Sequence, residues 1–208
     1  MASTLDDLKI TGAISVKDTG VSSQLRTSIL KQDPNVVFPI MLTSLRVWDA
    51  YATNLPGTAA ADDLALVGGT FGTAPPTISA GDLKNAGATS RYARFQMQLP
   101  ECYDSGETVT LTIYAGMATT VASSSCTVDV ECYKIDKITG IGSDLSATAA
   151  TTINSLVFAA KSFTITPSGL VAGDTFDVRI TIACNDSATG TAVTPTIAAI
   201  DLVCDIRG

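Results

Sequence analysis

The stretch GETVTLTIYAG at residues 106–116 is closely matched, sixty-seven residues later, by GDTFDVRITIA at residues 173–183. Both begin with glycine, an acidic residue and threonine, and both then alternate apolar with mostly polar residues. Such alternation is typical of a β-strand with one buried face. The two alternations predict these buried residues: Val109, Leu111, Ile113, Phe176, Val178 and Ile180.

A proline and a glycine precede each of these two strands. Extended backwards, the copies read FQMQLPECYDSG and FTITPSGLVAG, which contain Pro100, Gly106, Pro167 and Gly173. Proline ends an incoming strand because it has no N–H for the ladder, and glycine accepts the backbone angles of tight turns. We interpret each copy as a corner between neighbouring strands, and two equivalent corners predict a double Greek key. Gly-Asp-Thr turns are also common in β-proteins, so the match does not establish a duplication.

The rest of the sequence also favours an all-β fold. Short alternating segments are separated by turn residues, and no internal stretch has the pattern of a helix of three turns. We therefore predict a two-sheet antiparallel β-sandwich of jelly-roll type over residues 36–208, preceded by an N-terminal arm, residues 1–35. Further predicted inward residues are Tyr92, Phe95, Met97, Leu99, Cys126, Val128, Val130, Cys132, Ile197, Ile200, Leu202 and Cys204.

Residues 54–82 form a long excursion that contains three prolines and several glycines. A structureless loop of that length is unusual in a compact domain. We interpret it as an ordered insertion with an apolar anchor at Leu64, Leu66, Val67 and Phe71. Such insertions often carry contacts to partners.

The arm, residues 1–35, carries scattered apolar residues that are too few to form a core. Its β-prone LKITGAISV segment predicts addition as a strand to the sheet edge of a partner, although a frayed terminus without a role is an equally open interpretation. The candidate docking residues are Leu5, Leu8, Ile10, Leu25, Ile29 and Leu30.

Charge and composition exclude several classes of function. The net charge is −7, and residues 1–46 carry five basic and four acidic residues while the remainder carries eight basic and sixteen acidic ones. Direct nucleic-acid binding requires a basic surface, so we do not expect it. The first ten residues lack the basic and apolar regions of a secretory signal, and no apolar run is long enough to cross a bilayer. We therefore expect that the protein is made in a cytoplasm and does not associate with a membrane.

Histidine is absent, which removes the usual general base and histidine-containing catalytic triads. Asp62 with Asp63, and Glu101 with Asp104, show no glycosidase-like organisation. The segment GGTFG lacks the remainder of a phosphate-binding loop, and CNDSATG is more typical of a turn than of a calcium site. The five cysteines show no CxxC spacing, and we expect free, mostly buried thiols. We predict no catalytic site, no cofactor and no metal.

Five aromatic residues are candidates for a sugar-stacking platform, although a lone tryptophan is more often a core residue. They are Trp48, Tyr51, Tyr92, Tyr103 and Tyr133.

Four segments together resemble the capsid decoration, or cement, proteins of tailed bacteriophages. They are RVWDAYATNLPGTAAADDLALVGGTFGT, GDLKNAGATSRYARFQMQLP, FTITPSGLVAGDTFDVRI and LVCDIRG, and the resemblance extends over residues 36–208. It implies a jelly-roll protein, often a homotrimer, that binds the major capsid protein on the outer surface of an icosahedral head and stabilises the lattice. The expected location is the virion. The alternative is a carbohydrate- or receptor-binding β-sandwich of a phage fibre or tail.

Overall fold

A computed structural model describes residues 35–138 and 140–207. Among these residues the only helical element is a single 3₁₀ turn, Leu42–Ser44, and all other regular structure is strand. The predicted docking residues Leu5, Leu8, Ile10, Leu25, Ile29 and Leu30 lie outside the described residues. The strands are β1 (Asn35–Pro39), β2 (Ala65–Val67), β3 (Thr77–Ser79), β4 (Gly87–Gln98), β5 (Val109–Met117), β6 (Ser125–Ile135), β7 (Ile141–Asp144), β8 (Thr151–Thr152), β9 (Ala159–Ile165), β10 (Thr175–Asp186) and β11 (Pro195–Asp205).

The strands form two antiparallel sheets. The first sheet has the order β2-β3-β11-β5-β9, with β1 also paired to β11. The second sheet has the order β4-β10-β6-β7, with β8 also paired to β6. From β3 onward the chain passes from one sheet to the other at six of its eight connections, as in a jelly roll. The predicted fold class, an all-β jelly-roll sandwich, is confirmed.

The core lies between the two sheets and is built by alternation. On β6 the inward side chains are those predicted, since Cys126, Val128, Val130 and Cys132 are all buried. On β11 both Ile197 and Ile200 are buried despite their odd spacing, because the pairing with β5 shifts register between Ile197 and Ala199. A bulge of this kind moves the following residues to the other face.

The inward position predicted for Tyr92 is wrong. Phe95 and Met97 are buried, so strand alternation places Ala93 on the inner face and Tyr92 on the outer face beside Arg94. The consequence is functional, because an aromatic ring is added to the outer surface of the second sheet.

The predicted anchor of the excursion is only half correct. Leu64 is fully buried and Leu66 packs against the core, but Val67 is 39% exposed and Phe71 is fully exposed. The reason is that β2 and β3 pair as a hairpin at the edge of the first sheet. We call residues 65–79 the finger, and its tip projects away from the core.

The two predicted corners lie at one end of the sandwich and contact each other. They connect β4 to β5 and β9 to β10, strands that lie in opposite sheets, so the interpretation of a turn between neighbouring strands is wrong with respect to pairing. The Leu99 N–H donates to Asp174 O at 2.8 Å, and the Gly173 N–H donates to Leu99 O at 3.1 Å. Gly106 and Gly173 have φ values of +88° and +77°.

The two prolines occupy equivalent turns. Pro100 O accepts a hydrogen bond from the Tyr103 N–H at 2.9 Å, and Pro167 O accepts one from the Leu170 N–H at 3.0 Å. Each proline therefore begins a four-residue turn two residues after its strand ends, where a missing N–H costs nothing.

A buried carboxylate organises the opposite end of the sandwich. Asp186 is fully buried, and its two oxygens accept hydrogen bonds from the Asn85 N–H at 2.8 Å and the Ser123 N–H at 2.7 Å. Burial raises the pKa of Asp186, but hydrogen bonds from the Thr189 hydroxyl and the two N–H groups outweigh it and lower the pKa to about 2. One side chain thus holds three connections, β3–β4, β5–β6 and β10–β11.

Asp186 predicts a specific acid sensitivity. Its folded-state pKa lies below the value of about 3.9 for an unfolded aspartate, so its contribution to stability is complete above pH 4 and is lost as the pH falls towards 2. Asp186→Asn should lower the thermal midpoint at pH 7 and flatten its decline between pH 4 and pH 2. Differential scanning calorimetry measures both, with Glu107→Gln as a charge-matched control on an exposed side chain. Equal acid profiles for the wild type and Asp186→Asn would contradict this assignment.

Candidate binding groove

The outer face of the second sheet carries an array of charged side chains. Strand alternation turns Arg94 on β4, Asp177 and Arg179 on β10, and Glu131 on β6 away from the core. The pairing register puts Arg179 directly opposite both Arg94 and Glu131. Two arginines and two carboxylates therefore lie side by side across three strands.

Each arginine is neutralised by one carboxylate. The Arg94 guanidinium donates to Asp177 through two nitrogens, with Nε to Oδ1 at 2.7 Å and Nη2 to Oδ2. Arg179 donates to Glu131, with Nε to Oε2 at 2.5 Å. The Asp177 side chain is only 8% exposed, whereas that of Glu131 is 28% exposed. The hydrogen bond to Asp177 raises the pKa of Arg94.

Aromatic rings cover this array: those of Trp48 and Tyr51, which precede the excursion, and that of Tyr92 on β4. The rings of Trp48 and Tyr92 lie 5.1 Å apart at an interplanar angle of 49°. The Arg179 guanidinium lies 5.4 Å from the Trp48 ring and 5.2 Å from the Tyr92 ring, and Arg94 lies 5.0 Å from the ring of Tyr51. These distances are within the range of cation–π attraction. Stacking and ion pairing together fix the two guanidinium planes.

The segment before the excursion and the excursion itself both lie along the edge of β4. Arg46 and Arg94 exchange backbone hydrogen bonds at 2.7 and 3.0 Å, and the Leu64 N–H donates to Tyr92 O at 2.9 Å. An exposed strand edge is a site of unwanted pairing, and a covering segment removes it. The Trp48 indole N–H donates to Asp62 Oδ2 at 2.9 Å, which joins the segment before the excursion to the excursion itself.

Asp62 and Asp63 lie in the part of the excursion that follows the edge of β4. Asp62 O accepts the Tyr92 N–H at 2.7 Å, and Asp63 bridges to Tyr92, so both lie along β4. Burial, followed by the charges of Asp62 and Asp49, raises the pKa of Asp63. One of its carboxylate oxygens is buried without a hydrogen-bond partner.

Between the aromatic cover and the sheet lies a groove of about 360 Å³. The walls of the groove offer ring surfaces, carboxylate oxygens and guanidinium N–H groups. Burial, followed by the charge of Glu131, raises the pKa of Tyr133, so the Tyr133 hydroxyl stays protonated at neutral pH. Such a surface suits a polar ligand without a strong charge, because the arginines are already paired. The lining residues are Trp48, Asp49, Arg94, Glu131, Tyr133, Ile141, Asp177 and Arg179.

Four of the five candidate platform aromatics, Trp48, Tyr51, Tyr92 and Tyr133, contribute to this face. Tyr103 does not, because it is fully buried in the first corner, where its hydroxyl donates to Glu107 O at 2.6 Å. The sequence interpretation missed the four charged residues. The alternation of β6 and β10 indicates that Glu131, Asp177 and Arg179 face outward, but the proximity of all four depends on strand order, which local patterns do not encode.

Other predicted features lie elsewhere. The glycines of GGTFG form the tip of the finger, and the CNDSATG turn contributes Asp186 to the loop network. Within residues 35–138 and 140–207 no cluster of three or more histidine, cysteine, aspartate or glutamate side chains is arranged to hold a metal ion. Over the same residues no helix is long and apolar enough to span a membrane.

Comparisons with known proteins give no family. No family model and no curated protein matches the sequence. The solved structures that resemble the fold include the xylan-binding CBM22-1 domain of Xyn10C from Paenibacillus barcinonensis, with 8% identity, a TM-score of 0.38 and coverage of 70% of this chain and 82% of that one. TmCBM61 in complex with β-1,4-galactotriose has 8% identity, a TM-score of 0.36 and coverage of 84% and 89%.

The structure of infectious bursal disease virus, Gt strain, has 12% identity, a TM-score of 0.40 and coverage of 95% of this chain and 37% of that one. At such identities and TM-scores these likenesses carry no argument about ancestry or ligand.

The two ion pairs of the groove predict unequal mutational effects. Arg94 and Arg179 are equally exposed and both lie against rings, so the burial of their partners is the main difference. Arg94→Ala leaves the buried Asp177 uncompensated and should cost about 2–4 kcal/mol of unfolding free energy. Arg179→Ala should cost about 1 kcal/mol. Urea titration measures both, and Asp177→Asn in the Arg94→Ala background should recover part of the loss. Equal costs would show that carboxylate burial does not decide the effect.

Proposed function

We propose that this protein is a structural virion component that binds the outer surface of an icosahedral phage head and stabilises the capsid lattice. The sequence resemblance to decoration proteins motivates the proposal. The structural observation that supports it is the exposed, uncharged finger. Its partner in this proposal is the major capsid protein. The chain associates with itself as a homotrimer, and native mass spectrometry tests this oligomeric state. It is made in the host cytoplasm and has no catalytic role.

The finger has the properties of a docking element. No residue from 65 to 80 is charged, and residues 67–76 are all exposed. Phe71 at the tip has no contact that hides it from solvent. Burial of a large, solvent-exposed aromatic side chain by a partner lowers the free energy of the complex.

The finger is also preorganised. Thr70 and Ala74 exchange backbone hydrogen bonds at 3.0 and 2.8 Å across the tip. Gly69 has φ +67°, and a Cβ there would lie 2.3 Å from Ala74 O, so the tip closes tightly at this residue. A preformed tip loses little conformational entropy on binding.

Charge supports the same surface. The chain after residue 46 carries eight basic and sixteen acidic residues, so most of the body is repelled by an acidic partner, whereas the finger is not. Many copies on one shell multiply a modest contact through avidity.

Phe71→Asp should weaken binding to bare phage heads at least about tenfold, since burial of an aromatic anchor contributes roughly 2 kcal/mol or more. Co-sedimentation with heads that lack the protein measures the affinity. Ile138→Asp is the matched control, because Ile138 is 84% exposed and lies in the β6–β7 connection at the corner end.

A second matched pair tests the shape of the tip. Gly69→Ala clashes with the backbone of Ala74, whereas Gly72→Ala has a similar positive φ and nothing within 4 Å of its Cβ. Gly69→Ala should therefore weaken binding more than Gly72→Ala. Full binding by Phe71→Asp, or loss of binding by Ile138→Asp alone, would remove the finger from the proposal.

The groove favours a second candidate function, a carbohydrate- or receptor-binding β-sandwich of a phage fibre or tail. Its aromatic walls and paired charges match the alternating apolar faces and hydroxyl groups of a sugar. Trp48 is the only tryptophan in the chain and lines the groove, so its emission reports on occupancy.

If the groove binds glycans, an array should give hits that also change Trp48 emission on titration. Tyr133→Ala should abolish both signals without unfolding, because Tyr133 lies at the sheet surface and is only weakly bonded, to Glu131 at 3.4 Å. Tyr114→Ala, on the first sheet and 39% exposed, is the control. An array without hits leaves the capsid-binding proposal as the function that the molecule supports.

A further inference from the structure

Two of the five cysteines face each other across neighbouring strands. Cys126 on β6 and Cys184 on β10 are direct register partners, and both side chains are buried on the inner face of the second sheet. Of the remaining thiols, Cys132 lies opposite Val178, Cys204 pairs with Val109 and Val36 and has Cys102 as an electrostatic neighbour, and Cys102 itself lies outside the strands.

The backbone hydrogen bonds define the type of pair. The Ile153 N–H donates to Cys126 O at 2.8 Å, so the polar backbone groups of Cys126 point towards β8 and away from β10. Cys126 and Cys184 are therefore a non-hydrogen-bonded antiparallel pair. In such pairs the Cα atoms lie about 4.5 Å apart and the side chains approach most closely. A disulfide spans Cα separations of roughly 4.4–6.8 Å.

The two sulfur atoms already contact each other. The Cys126 thiol is hydrogen-bonded to Cys184, and this contact lowers the pKa of Cys184 against the opposing effects of burial and of Asp186. The same contact, together with burial, raises the pKa of Cys126. Cys184 is thus the sulfur that ionises more readily, and the thiolate is the reactive form of cysteine.

Cys184 is the less deeply buried of the two thiols. A surface depression of about 300 Å³ lies on the outer face of this end of β4, β10 and β6, and Cys184 contributes to its lining although its side chain faces the core. Cys184 retains 3% exposure, whereas Cys126 has none.

We propose that Cys126 and Cys184 form a dithiol that closes to a cross-strand disulfide when the protein leaves a reducing compartment and meets hydrogen peroxide. The Cys184 sulfur attacks the peroxide oxygen, which breaks the O–O bond, forms a sulfenic acid and releases water. The Cys126 sulfur then attacks the Cys184 sulfur, the S–S bond forms, and the sulfenic oxygen leaves as a second water. In total two thiols lose two electrons and two protons, and one peroxide is reduced to two waters.

The bond would join β6 to β10 beside the Asp186 network. It would close a loop through residues 126–184, which contains the second corner and three strands. Constraint of so long a loop restricts the unfolded chain. Oxidation should therefore raise the thermal midpoint and leave the strand content unchanged.

The experiment uses the full chain, reduced and then treated with stoichiometric hydrogen peroxide. Alkylation in denaturant should count five free thiols before treatment and three after it, and the intact mass should fall by two hydrogen atoms. Peptide mapping without reduction should identify the Cys126–Cys184 pair, and a reductant should restore five thiols.

Two variants provide controls. Cys102→Ser removes the exposed thiol and should leave bridge formation unchanged, whereas Cys184→Ala should abolish it. Because Cys184→Ala changes a buried residue, circular dichroism checks whether the variant folds. If it does not fold, peptide mapping of the oxidised wild type alone decides whether Cys126 and Cys184 form the bridge. Five free thiols after treatment, a bridge between Cys102 and Cys204, or oxidation that stops at sulfonic acid would each overturn the proposal.

Discussion

The backbone hydrogen bonds between Leu99 and the pair Gly173 and Asp174 are the contact on which the sandwich depends. In a jelly roll, strands that follow each other in the chain lie in opposite sheets, so most have no hairpin partner to fix them. The two corners solve this problem at one end by hydrogen bonding to each other, which joins the β4–β5 crossing to the β9–β10 crossing. The repeated sequence therefore reflects a shared mechanical role: each copy leaves one sheet, turns at a proline, and enters the other sheet after a glycine.

The opposite end is fixed differently, by a side chain. Asp186 accepts N–H groups from two other connections because their backbones converge without pairing. Asn154 does the same on a smaller scale, since its amide accepts the Ala122 N–H at 2.7 Å and donates to Ala122 O at 3.1 Å. With both ends fixed, neither the finger nor the groove is needed to hold the sheets together.

Local pattern predicted the parts of the molecule that local physics controls. Alternation identified the inner faces of β5, β6 and β10, because a strand with one buried face has only one choice of phase. It failed at two places. Tyr92 was assigned to the inner face although Phe95 and Met97 already set the alternation that turns it outward. Phe71 is exposed because β2 and β3 pair with each other, which depends on long-range pairing. Arg94, Asp177, Arg179 and Glu131 were invisible as a site for the same reason, since strand order brings them together.

The chain from residue 46 to residue 82 contributes to both candidate surfaces. Its first part, which precedes the excursion, supplies Trp48 to the groove on the second sheet, and its later part supplies the finger on the edge of the first sheet. A partner that buries Phe71 therefore need not occupy the groove, and the two proposed functions do not compete for one surface. The hydrogen bond from the Trp48 indole to Asp62 couples the two parts mechanically, three residues before the finger begins. Docking of the finger that displaces Asp62 would free the indole and change Trp48 emission even with the groove empty, so emission and direct ligand binding must be read together.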